Sequence, residues 1–378
     1  DQETERAAVR EKKGQQEKEA GDTETDQAAA AQDELLAELD FDAIQQEVDS
    51  LLSSQQFSFA GTVRSLLQDG DPFRTFRAGN AVLSCAKTAF LAQKGLMKEL
   101  FLLVLAGAVL GSFSSLFEGK QVRDASFYMV YLLALALILK NFQSSGENLK
   151  AVITSLVAFM RILTPSYYLA AAAAGGASSA VMFYQMLLLV ILAVEKLLLA
   201  LVLPMIHIYL LIALVNDLSG EEILSHMTEL LETCVNGLLK SSLGVLVGMQ
   251  MIRNLIAPAL DSLRQMALWR TAGMIPGIGN AVNAVTELVA GSAVLIRNCF
   301  GVTAMLVLLA AGMVPAVQLL VSGLSFRLLA AAAQPVSDKR IAGCLAAAGK
   351  GYAMLLRLLL TVEVLFLLTI AILAGTFS

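Results

Sequence analysis

The residues that could do chemistry are the ionisable side chains set inside long apolar runs. Arg161, Glu195, Lys196, Glu287, Arg297, Arg327, Arg357 and Glu363 all lie within or at the ends of such runs. A charge at the centre of a bilayer costs a few kcal/mol or more unless it is paired or wetted, so each demands an account. Glu195 and Lys196 are neighbours in sequence and on a helix point ~100° apart, so each needs its own partner. Arg297, Arg327 and Arg357 stand near the ends of runs and read as cations whose heads reach the interface or as members of structural ion pairs. Glu195, Glu287 and Glu363 are the stronger functional leads, and lining a wet path they would make it cation-tolerant.

Other chemistries lack their parts. A zinc protease needs His-Glu-x-x-His on a helix, and a phosphate-wrapping loop needs Gly-x-x-x-x-Gly-Lys; neither string is present. The histidines, His207 and His226, are too few for most metal sites. After Asp124 the aspartates are Asp217, Asp261 and Asp338, all at polar boundaries, which argues against an intramembrane aspartyl protease. Gly176-Ala177-Ser178-Ser179 with His207 suggests a serine site only until the missing Gly-x-Ser-x-Gly pattern is noticed, and small-residue helix packing explains it better. Cys85, Cys234, Cys299 and Cys344 lie far apart and read as small apolar core residues. The expectation is a protein that is not an enzyme and holds no metal or cofactor.

What positions the acidic residues is a membrane. Hydrophobic residues make up 57% of the 378 and charged ones 16%, with mean hydropathy +0.68, a balance that points to an integral membrane protein rather than a soluble domain. The net charge of −5 belongs to residues 1–33, which hold ten acids and five bases; the rest is balanced, with no surface for nucleic acid. The chain begins at Asp1, so either a signal peptide has been removed or the sequence has been trimmed. Removal of a signal would put the N-terminus outside the cytoplasm.

Residues 1–33 are polar and Ala-rich and read as a disordered tail. Residues 34–98 read as an extracytoplasmic or juxtamembrane amphipathic region. Leu35, Leu36, Leu39, Ile44, Val48, Leu51 and Leu52 form an apolar helical face, expected to pack on the protein itself because the opposite face is acidic. Residues 99–378 read as the multi-span domain. Runs 100–117 and 126–142 are each just long enough for a ~30 Å hydrocarbon core and predict a hairpin around a polar turn at 118–124. Residues 149–174 are a third span, and 179–216, too long for one crossing, predict two segments broken near Pro204 or at the charged pair. Residues 217–240 predict an amphipathic helix that Ser219 could cap, 243–256 a short apolar run closed by Pro258, and 300–324 and 352–376 the last long runs, with 325–351 an Ala-rich connector.

One stretch stands apart. Met274-Ile275-Pro276-Gly277-Ile278-Gly279-Asn280 puts helix-breaking residues directly ahead of a helical pattern, so Pro276, Gly277 and Gly279 read as a hinge. Beyond it Asn280, Asn283 and Glu287 fall on one side at helical spacing, a polar stripe expected to face a pore or another subunit.

Several strings resemble a known family. Phe41-Asp42-Ala43-Ile44, Leu105-Ala106-Gly107-Ala108-Val109-Leu110-Gly111, the Ile275-Pro276-Gly277-Ile278-Gly279 turn with its downstream helix, and the closing span are similar to the stage III sporulation protein AE family of endospore-forming bacteria, from about residue 35 onward. The resemblance implies a multi-pass protein of the mother-cell membrane around the forespore, part of a secretion-like channel complex between the two cells. It implies as partners the other stage III A proteins, including a cytoplasmic ATPase, and the forespore-side stage II protein Q. A further copy of the chain is another candidate partner. The whole predicts an all-α, polytopic integral membrane protein of about seven transmembrane helices, with amphipathic helices and a Pro-Gly-broken central helix. The rival reading is a secondary transporter or permease for a small solute, which broken helices would also suit.

Overall fold

The computed structural model describes the backbone of residues 40–52, 57–69, 78–114, 120–173, 178–219, 224–272, 279–335 and 337–375. Side chains are described for all of these except 68–69, 78–85, 110–114, 120–127, 168–173, 178–184, 187, 253–272, 279–290 and 373–375. Among the described residues every regular element is helical: α1 (Phe41–Leu51), α2 (Phe59–Asp69), α3 (Ala78–Ser114), α4 (Lys120–Ala173), α5 (Ser178–Leu197), a π turn (Leu198–Val202), α6 (Leu203–Ser219), α7 (Ser225–Ala272), α8 (Gly279–Ala333) and α9 (Lys339–Gly375). The fold is all-α, and among the described residues five stretches, 128–167, 188–219, 225–252, 291–333 and 339–372, are long and apolar enough to cross a membrane. The tail at 1–33 and the hinge at Pro276 and Gly277 lie outside the described residues.

The helices are longer and less broken than the sequence predicts. Runs 126–142 and 149–174, expected as separate spans, lie on the single 54-residue helix α4, ~81 Å long. The polar stretch between them holds the helix through its own pairs: Gln143 Nε2 donates to Glu147 Oε1 at 3.2 Å, and Ser145 Oγ donates back to the Asn141 carbonyl at 2.9 Å. Pro165 sits inside α4, and Thr164 Oγ bonds the Met160 carbonyl in the preceding turn. Run 243–256 does not close at Pro258, since α7 continues to Ala272. The Ala-rich connector is helix too, apart from a short turn before Asp338, which caps α9 by accepting from the Arg340 N–H at 3.0 Å. Alanine is the strongest helix former, so the Ala-rich segment lengthens both helices up to the turn between them.

Residues 179–216 do change character where Pro204 predicts it, but without a turn. Leu198–Val202, ending two residues before the proline, widen into a π turn, and the helix then continues as α6. A proline ring collides with the carbonyl four residues back, and the wider turn accommodates it. Ser219 does not cap α7: it ends α6, its hydroxyl donating to the Asn216 carbonyl at 2.8 Å, while Asn216 Oδ1 accepts the Leu224 N–H.

The α8–α9 hairpin is the centre of the molecule and its most extensive helix contact. Gly323 and Gly349 let the two backbones approach: a β-carbon at 349 would lie 3.2 Å from the Gly323 carbonyl oxygen, and one at 323 would lie 3.2 Å from the Tyr352 Cβ. α3 and α4 pack on α8, and α6 packs on α9. Between apolar helices in lipid this cohesion is van der Waals contact rather than transfer from water, which is why small residues sit at the seams.

The amphipathic N-terminal helices pack on this core. Ile44, Val48, Phe59 and Val63 are fully buried, α1 against α4 and α2 against α8, so α1 covers the protein as its acidic outer face predicts. Phe59 meets Phe300 edge-on with centroids 5.0 Å apart, and Phe41 and Tyr167 pack around the same ring. Gln45 joins α1 to α2, donating to the Phe57 carbonyl at 2.7 Å and accepting the Phe59 N–H at 2.8 Å.

Candidate functional site

The ionisable residues picked out by sequence separate into distinct environments. Glu363 lies on α9 at the middle of its apolar run, 7% exposed, against α8 at Gly312. A β-carbon at position 312 would overlap its carboxylate, so glycine is what makes room for it. Among the described residues neither carboxylate oxygen has a hydrogen-bond partner. Glu195 lies on α5 three residues before the π turn and is 8% exposed, with Arg161 of α4 acting on it as a more distant opposite charge. Lys196 next to it is exposed, as the ~100° step between neighbours requires.

The three interfacial arginines do not behave alike. Arg327 and Arg357 are exposed, and Arg357 Nη1 donates to Asn236 Oδ1 of α7 at 3.0 Å. Arg297, expected to reach the interface or to join a structural ion pair, is among the described residues the largest fully buried side chain, 1% exposed, with Nη2 3.4 Å from Asn298 Oδ1, so its head does not reach the surface. Asn280, Asn283 and Glu287 fall in the first turns of α8, which begins at Gly279, and their side chains lie outside the described residues. Cys344 is buried and Cys299 half-buried, as small core residues are, but Cys234 is exposed on α7.

Sequence reading missed the polar centre of α4. Asn141 Nδ2 donates to the Tyr352 hydroxyl of α9 at 2.7 Å, and Ser145 Oγ lies 3.3 Å from the same oxygen. Phe142 meets Tyr352 and His207 edge-on, with centroids 5.2 and 5.3 Å apart, and Phe326 of α8 stacks on Tyr352. His207 Nδ1 lies 2.8 Å from the Leu203 carbonyl, at the end of the π turn, and its ring fills the space over Gly146. One cavity of about 600 Å³ opens beside His207 and Pro204, lined by Gln143, Glu147 and Lys150 at one side and by leucines at the other. The signal for this region was the polar interruption at 143–148, which looks like a loop when only hydropathy is weighed.

Elsewhere polar contacts join helices at exposed edges: Lys350 Nζ of α9 lies 2.5 Å from Glu232 Oε2 of α7. Among the described residues no group of His, Cys, Asp and Glu could hold a metal ion.

These features define an all-helical, multi-pass membrane protein with a few buried polar residues at its helix–helix seams. The chain matches the family model of stage III sporulation protein AE over residues 57–376, and it belongs to that family. It is 22% identical over 291 residues to the stage III sporulation protein AE of Bacillus subtilis (strain 168), an alignment covering 76% of this chain and 73% of the relative. No solved structure matches it. Membership gives the chain a role in sporulation.

Proposed function

We propose that this protein is a membrane-embedded subunit of a multiprotein, secretion-like channel complex between mother cell and forespore, with no catalytic chemistry of its own. The observation that supports an assembly role is the outward face of α7. Only 22% of its most apolar stretch is buried against the rest of the chain, against 44–56% for the other four candidate spans. Gly237, Gly244 and Gly248 on that helix have open space where a β-carbon would go. A membrane helix this uncovered is surrounded either by lipid or by other subunits, and glycines at the surface favour close helix approach.

In this reading the chain lies in the mother-cell membrane with its N-terminal region, residues 34–98, outside the cytoplasm, and residues 99–378 form about seven spans. Its partners are the other stage III A proteins, the forespore-side stage II protein Q, and further copies of itself. Pro276, Gly277 and Gly279 act as a hinge that aims Asn280, Asn283 and Glu287 at a pore or a neighbouring subunit. Cysteines at 283 and 287 then react with membrane-impermeant thiol reagents if the stripe is wet. Protection from both sides removes the wet version.

The deciding experiment is copurification from sporulating membranes in mild detergent, with bound proteins identified by mass spectrometry. Recovery of other stage III A proteins supports the complex. Recovery of the chain alone, together with solute uptake by the purified protein in liposomes, would establish the rival, a secondary transporter or permease, which the π turn before Pro204 and the adjoining cavity favour.

A further inference from the structure

Glu363 is buried, its two carboxylate oxygens lack hydrogen-bond partners among the described residues, and it occupies the notch left by Gly312. Among the described residues, the charged groups of the helices packed on α9 are engaged, exposed or far along the helix. On α8, Arg297 and Arg327 are each fifteen residues from Gly312, ~22 Å along the helix. On α7, Glu232 pairs with Lys350 and His226 lies near Glu229, while Lys240 is exposed. On α6, Asp217 lies against Gly343 and His207 against Gly146. On α4, Lys140, Glu147, Lys150 and Arg161 are exposed, and on α5 Glu195 is buried near Arg161 while Lys196 is exposed. On α9 itself Arg357 bonds Asn236, Arg340 and Lys350 lie on earlier turns, and Lys339 is exposed at the start of the helix.

An ionised carboxylate in such a place would have neither counter-ion nor donor among the described residues, whereas a neutral carboxyl fits an apolar seam at far lower cost. We propose that Glu363 is a proton-binding site: the neutral carboxyl closes the α8–α9 contact over Gly312, and loss of its proton to water loosens that contact. This rests on the geometry of the hairpin and not on the channel reading above.

The test uses the full chain in lipid vesicles. Infrared spectra of wild type and Glu363→Gln are subtracted across a pH series. A protonated carboxyl C=O stretch assigned to residue 363 at neutral pH, lost as pH rises, is the expected result. If the difference spectrum at neutral pH shows only ionised carboxylate, the proposal is overturned. Should Glu363→Gln not fold, Glu363→Asp serves instead, since the protonated band then shifts rather than vanishes. The loosening is read from spin labels at the exposed Leu309 and Leu360, one on each helix. Their separation lengthens as the band is lost in wild type and stays constant in Glu363→Gln. A separation that does not change while the band titrates refutes the coupling.

Discussion

At the residue scale, the tightest constraints are positions where one side chain occupies the space of another. A β-carbon at 146 would lie 2.6 Å from both Cε1 and Nε2 of His207, whose ring is already fixed by Phe142 on one side and the Leu203 carbonyl on another. Gly146→Ala therefore forces the ring out of place and is expected to cost ~1–3 kcal/mol. The cost should fall in the Gly146→Ala, His207→Ala double variant, because the obstruction is gone; thermal unfolding of the four proteins in one detergent gives the coupling. Gln45 offers a second case with a different cause. Its amide serves both the Phe57 carbonyl and the Phe59 N–H, the latter one of the unpaired donors at the start of α2. Replacing it with alanine strands both groups and should destabilise the α1–α2 junction by about 1–3 kcal/mol, seen as faster proteolysis between residues 40 and 69.

At the element scale, the N-terminal helices depend on a ring from the membrane domain. Phe300 is fully buried and meets Phe59, Phe41 and Tyr167. Phe300→Ala removes the common contact and should cost ~3–5 kcal/mol, releasing α1 and α2 to hydrogen exchange while α9 stays protected. Which helices exist was legible in the sequence, because apolar runs and amphipathic faces are strong signals; where they stop was not. Polar residues 143–148 read as a loop because hydropathy does not register the Gln143–Glu147 bond or the Ser145 back-bond that keep α4 helical. Pro165 and Pro315 both sit inside helices, since a membrane helix flanked by neighbours tolerates the missing donor. The candidate site was half legible. Glu195 and Glu363 stand out as acids in apolar runs, but nothing in one sequence pairs Gly312 with Glu363 across fifty residues or brings Asn141 to Tyr352.

At the scale of the whole molecule, folding and assembly make separable demands on α7. Val235, Leu239, Ser242 and Leu246 are the buried residues of its membrane stretch and hold it to the chain, whereas Leu230, Val245, Val247, Met251 and Ile252 face outward with the glycines. Substituting the outward glycines should leave the fold intact, because among the described residues no atom lies within 4 Å of a β-carbon built at Gly237, Gly244 or Gly248. Gly244→Leu with Gly248→Leu adds bulk on the outer face alone and, with leucine a better helix former than glycine, should leave unfolding in detergent unchanged or slightly stabilised. If α7 meets another subunit, the same pair removes the close approach that the glycines allow, and copurification of partner proteins from sporulating membranes should fall sharply. Cys234, exposed on the same helix, supplies a native reporter: disulfide or bifunctional cross-linking through it should be lost in the double variant along with the partners. Partner recovery unchanged by Gly244→Leu and Gly248→Leu would mean that lipid covers α7 and that the complex is held through another face.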